Sequence, residues 1–191
     1  MSEAERREVV EDRRRKGFPL HSPPHPDLGS GWYLITAATY EHRSHFTSKD
    51  ELSALESRLV QALADTVSAL GGWVVLPNHY HALVMTNTAS QLGRVLGRVH
   101  ARSAQYVNRR DGTPGRTVWY RFADRKVRSE RHYWTCLHYI VANPVKHRWC
   151  DATAEWPWSC FHRLVERHGL EWPTELAQRY PLLDFGRGWD D

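Results

Sequence analysis

Cysteine is scarce in this 191-residue chain: Cys136, Cys150 and Cys160 are the only three. An odd number without a Cys-x-x-Cys spacing excludes both a disulfide framework and a zinc ribbon. Apolar runs approaching the roughly 20 residues of a membrane span are also missing, and the charged N-terminus offers no signal-peptide core. A reduced, cytoplasmic protein without a membrane association is expected. Internal repeats and low-complexity tracts are absent. Acidic residues are few in one stretch: between Gln91 and Arg148 there are only Asp111, Asp124 and Glu130 against 13 Lys and Arg. The formal charge of the whole chain is only +4, so the basic charge is concentrated where a polyanion can be gripped.

The chain does have the means to fold. An apolar fraction of 41% and nine Trp suit one domain with a real core. Residues 1–30 read as a charged arm and Pro-rich linker, with a short exposed helix over Ser2–Lys16. The domain itself covers 31–168, and 169–191 form a tail. Trp32–Tyr40 is rich in β-branched and aromatic residues and predicts a first strand. Ser48 caps a helix carrying Leu52, Leu55, Leu59, Leu63 and Val67 up to Leu70, with Gly71-Gly72 as its stop. Two strands, Trp73–Leu76 and His79–Met85, meet in a hairpin at Pro77-Asn78.

A second helix is expected from about Ser90 to Tyr106, with Arg94, Arg98, Arg102 and Arg109 lining its outer face. A turn at Asp111–Gly115 leads to a fourth strand at Thr117–Phe122, continuing into Arg125, Lys126 and Arg128. This β-α-β-β-α-β order predicts an α+β, ferredoxin-like antiparallel sheet with helices on one face. Beyond it, a third helix is capped near Ser129 and ended by Pro144. Its Tyr133, Trp134, Leu137, Ile140 and Val141 cluster on one side, with Tyr139 and Asn143 opposite. Short helices to Arg167 and from Thr174 complete the tail.

His79-Tyr80-His81 is the stretch richest in chemistry. Strand side chains alternate faces, so both imidazoles point the same way, a start on a divalent metal site. Taken alone, the pair is equally compatible with hydrogen-bonded core histidines. The surrounding blocks are more specific. Pro77-Asn78-His79-Tyr80-His81-Ala82-Leu83-Val84 and Tyr139-Ile140-Val141-Ala142-Asn143-Pro144-Val145-Lys146-His147, followed by Trp156-Pro157-Trp158-Ser159-Cys160-Phe161, resemble the single-tyrosine transposases of the His-hydrophobic-His (HUH), IS200-like class. Within it they resemble the branch associated with repetitive extragenic palindromes (REP).

This resemblance implies a DNA nicking and strand-transfer enzyme in which His79, His81 and Asn143 hold Mg²⁺ or Mn²⁺ and Tyr139 is the nucleophile. It implies a 5′-phosphotyrosine intermediate and a single-stranded or hairpin DNA substrate, with the active unit a monomer or a homodimer. Arg94, Arg98, Arg102, Arg121, Arg125, Lys126 and Arg128 are the expected phosphate contacts. One alternative is a domesticated module that binds nucleic-acid hairpins without cutting. A metallohydrolase is disfavoured, because no His-Glu-x-x-His pattern or inward carboxylate pair accompanies the histidines.

Overall fold

A computed structural model describes residues 29–87 and 89–187. The expected arm helix and Pro-rich linker lie outside the described residues. Four strands, β1 (Gly31–Ala38), β2 (Ala69–Val75), β3 (His79–Thr86) and β4 (Ala123–Lys126), form one antiparallel sheet in the order β2-β3-β1-β4. The helices are α1 (Lys49–Ala64), α2 (Ala89–Arg110), α3 (Glu130–Lys146), α4 (Phe161–His168) and α5 (Trp172–Arg179). This is the ferredoxin-like arrangement, followed by a C-terminal helical part.

Strand alternation divides the sheet. Tyr80, Ala82 and Val84 of β3 and Tyr33 and Ile35 of β1 face α1 and α2, as the Tyr80–His100 contact shows. His79, His81 and Leu83, with Leu34 and Thr36, face the other way, where α3 packs on β2 and β3. Both faces are therefore covered, and the central strands are buried over most of their length. At the start of α1, Ser48 Oγ accepts from Glu51 N, and Glu51 Oε2 accepts from Ser48 N and Thr47 N. Glu51 also pairs with Arg110, which ties the start of α1 to the end of α2.

Three sequence expectations are corrected. The first helix ends at Ala64, and Gly71-Gly72 belong to β2, beside a register shift between Leu70 and Gly72. These glycines mark close approach: a Cβ on Gly71 would sit 2.8 Å from Tyr133 Oη, and one on Gly72 would meet Leu137 and Cys160. The fourth strand is Ala123–Lys126; in Thr117–Phe122 only Trp119 bridges, to Thr39. Its alternating aromatics mimic a strand, but this segment pairs only at the end of β1, around the Thr39–Trp119 bridge. Pro144 lies inside α3, which continues to Lys146 because a proline so near the end interrupts little of the helix. His147 N still donates to Asn143 O, and Trp149 N to Pro144 O.

Candidate active site

Four residues from two distant segments meet between β3 and α3. His79 and His81 are fully buried side by side, their ring centroids 5.2 Å apart. Asn143 Oδ1 lies 2.9 Å from His79 Nε2. Tyr139, one helical turn before Asn143, sets its ring 5.1 Å from that of His81. The expected side of α3 is thus inward. Tyr139 is 1% exposed, not on a solvent face, because α3 is covered on more than one side.

Side-chain oxygens orient both histidines. Thr36, the register partner of His81 across β1, puts Oγ1 2.9 Å from His81 Nδ1. Asn78 Nδ2 donates to His42 O at 3.1 Å, so its Oδ1 is the atom 2.7 Å from His79 Nδ1. His79 Nδ1 accordingly carries a proton. The tautomer protonated at Nδ1 alone leaves an Nε2 lone pair facing Asn143 Oδ1. Turning the Asn143 amide over would bury Oδ1 in place of Nδ2. As placed, Nδ2 is buried with no hydrogen-bond partner among the described residues.

This arrangement fits a divalent cation. With Nδ1 of both rings engaged by oxygens, Nε2 is the nitrogen through which each histidine would ligate. Two imidazoles and an amide oxygen leave positions for phosphate oxygens and water. Among the described residues, no group of three or more His, Cys, Asp or Glu is placed to hold a metal. A third protein donor beside the histidine pair would have to come from another residue type, and Asn143 Oδ1 lies within reach.

The structure adds residues that motif reading did not assign. Lys146 Nζ donates to Tyr139 Oη at 3.3 Å and lies 4.9 Å from its ring centroid. His147 packs edge-on against His79, centroids 4.7 Å apart. Helical spacing was the available signal, since positions 139, 143, 146 and 147 share one helix face. Phe185 and Gly186 cover the tyrosine: the Phe185 ring centroid is 5.6 Å from that of Tyr139, and Gly186 O accepts from Lys146 Nζ at 3.2 Å. Gly186 has φ +77° and lies so close that a Cβ would run into the Tyr139 ring. Nothing local in the sequence announces that contact.

The expected phosphate contacts divide between the two faces. Arg125, paired with Leu34, is on the site face and close enough to α3 to act on the Cys136 thiol. Lys126 points the other way, 5.9 Å from the Tyr33 ring centroid. Arg121 and Arg128 are exposed on either side of β4. Arg94, Arg98 and Arg102 are exposed on α2, across the sheet from Tyr139. Burial pushes the thiols of Cys136 and Cys160 up to about 12, which leaves them unreactive. Among the described residues, no helix is long and apolar enough to cross a membrane.

No family model matches the chain. In sequence it is similar to the REP-associated tyrosine transposase of Escherichia coli K12, with 24% identity over 157 residues, 78% of this chain and 89% of that one. A relative from Haemophilus influenzae is 38% identical over 50 residues, 26% of this chain and 28% of its own. A solved structure of a REP-associated tyrosine transposase bound to a REP hairpin matches with a TM-score of 0.59 and 24% identity, covering 76% of this chain and 86% of that one. The structural likeness carries the fold, and the sequence match runs along most of both chains. Over most of its length this chain is similar to the REP-associated tyrosine transposases.

Proposed function

We propose that this protein is a divalent-metal-dependent enzyme that nicks and rejoins single strands of hairpin-bearing repeat DNA, with Tyr139 as nucleophile. The observation that carries the reading is the approach of Asn143 Oδ1 to within 2.9 Å of His79 Nε2, on the helix that carries Tyr139. The relatives' names, and the hairpin bound to the solved neighbour, support a substrate of that class.

His79, His81 and Asn143 would hold Mg²⁺ or Mn²⁺, which when bound supplies polarisation of a phosphate oxygen. Tyr139 Oη forms the new bond to phosphorus, and the bond from phosphorus to the 3′-oxygen breaks. The tyrosine proton is lost and the departing 3′-oxygen gains one, leaving a 5′-phosphotyrosine and a free 3′-hydroxyl. Lys146 Nζ is placed to stabilise the charge developing on Oη. The covalent link conserves the phosphodiester, so a 3′-hydroxyl can reverse the step without ATP. Arg125, Arg121 and Arg128 would guide the reacting strand, while Arg94, Arg98 and Arg102 would take phosphates of a duplex portion on the opposite face.

One observation favours a second reading, a hairpin-binding module that does not cut: Tyr139 is covered by Phe185 and Gly186. End-labelled hairpins with single-stranded flanks, incubated with Mg²⁺ or Mn²⁺, distinguish the two. A covalent protein–DNA adduct that disappears in Tyr139→Phe is expected. Tight binding without adduct, both in the full chain and after removal of residues 182–191, would assign the binding module.

A further inference from the structure

β1 does not finish its work at Ala38. Tyr40 N donates to Val118 O at 2.8 Å and Tyr120 N to Ala38 O at 2.9 Å, around the Thr39–Trp119 bridge. Trp119 faces α2, its ring stacked on His100 at 4.7 Å. By alternation its neighbour Tyr120 faces the opposite side, as does Tyr40, which continues the series Thr36 and Ala38. Thr36 and Ala38 are the register partners of His81 and His79. The two tyrosines therefore extend the histidine-bearing face beyond its end. Their rings lie 5.0 Å apart, each 41% exposed, with the His42 ring 6.4 Å from Tyr120.

The turn that presents them is rigid and linked to the site. Glu41 and His42 have φ of 55° and 52°, a conformation side chains disfavour unless the surroundings impose it. Here Thr39 Oγ1 donates to Arg43 O at 2.7 Å, and Asn78 Nδ2 donates to His42 O at 3.1 Å. The same Asn78 orients His79. Arg43, paired with Glu41 at 2.6 Å, and Arg116, paired with Asp111 at 2.7 Å, line a hollow of about 320 Å³ with Tyr40, and exposed Arg121 follows Tyr120.

We propose that Tyr40 and Tyr120 form a stacking shelf for unpaired nucleobases of the strand leading to His79, and so set which phosphate is presented to Tyr139. The proposal deepens the reading above and rests on it. Open aromatic faces beside Arg43, Arg116 and Arg121 suit a single strand, whose bases are free to stack while its phosphates meet cations. A duplex, with its bases stacked on one another, offers no faces to these rings.

The test uses the full chain and a DNA hairpin with oligothymidylate flanks carrying 2-aminopurine at successive positions. Fluorescence is expected to be quenched at one or two flank positions close to the stem. Tyr40→Ala with Tyr120→Ala is expected to abolish this quench and to weaken flanked-hairpin binding about tenfold or more. It should leave binding of the bare hairpin and the thermal midpoint unchanged. Tyr40→Phe with Tyr120→Phe should keep the quench, because stacking needs the ring and not the hydroxyl. An unchanged quench in the alanine variant, or flanks that add nothing to affinity in the parent, overturns the shelf. The readout is independent of cutting: a shelf that stacks bases on a protein forming no adduct sustains this proposal while the cleavage reading fails. Absence of binding to any DNA overturns both.

Discussion

The two faces of the sheet each hold a buried polar network, and the two differ in one respect. On the face toward α1 and α2, Tyr80 Oη and His100 Nε2 are hydrogen-bonded at 2.8 Å, Trp119 Nε1 donates to Ser103 Oγ at 3.0 Å, and Ser103 Oγ to Val99 O at 2.8 Å. Each polar atom named there has a hydrogen-bond partner. On the other face, His79 Nε2 and Asn143 Oδ1 lie 2.9 Å apart, and Asn143 Nδ2 is buried with no hydrogen-bond partner among the described residues. A closed network adds stability and a defined core. An open one leaves stability unrealised, as the proposed metal site would require. Burial alone would not separate them, since Tyr80, His79 and His81 are equally inaccessible.

This contrast can be broken from either side. The largest effect is expected from His79→Ala with His81→Ala. Adduct formation should fall at least about 100-fold and divalent-metal affinity should drop, since one amide alone cannot hold the ion. Isothermal titration with Mn²⁺ checks this directly, and an unchanged affinity would reclassify the pair as structural.

On the closed side, burial pushes the His100 imidazole down to about 4 from its ordinary 6.5. The unfolded chain then takes up a proton that the folded one refuses, so the stabilising contribution is full above pH 6.5 and is lost as the pH falls toward 4. The loss should approach about 3 kcal/mol, and His100→Gln should flatten that window in urea unfolding at pH 7 and near pH 4. Tyr80→Phe removes the hydrogen bond to His100 and is expected to cost about 1 kcal/mol without altering cleavage. The smallest effect tests the cover over the open site. In Gly186→Ala the added methyl collides with Tyr139 and strains a left-handed residue, so the segment should loosen and adduct formation rise several-fold. An unchanged rate would show that Phe185 and Gly186 do not limit access.

Much of the site was legible because its residues come in short blocks. Asn78, His79 and His81 sit in one turn and strand, and Tyr139, Asn143, Lys146 and His147 within about two turns of one helix. Alternation and helical spacing then place each set on one face. Where reading failed, it met a residue with two physical uses. Gly71-Gly72 resembles a helix stop, yet it is the smooth patch of β2 on which α3 rests. Thr117–Phe122 has the composition of a strand but lies where only a bridge can form.

The sequence by itself determined the βαββαβ order, the hairpin at Pro77-Asn78 and the pairing of two imidazoles on one strand face. These follow from periodicities contained within a few residues. Only the tertiary structure decided that β4 is Ala123–Lys126, that Thr36 holds His81, that Arg94, Arg98 and Arg102 lie across the sheet from Tyr139, and that Gly186 rests on the Tyr139 ring. Those relations join residues far apart in the chain. They depend on strand register and on how α3 lies over the sheet, which no local pattern encodes.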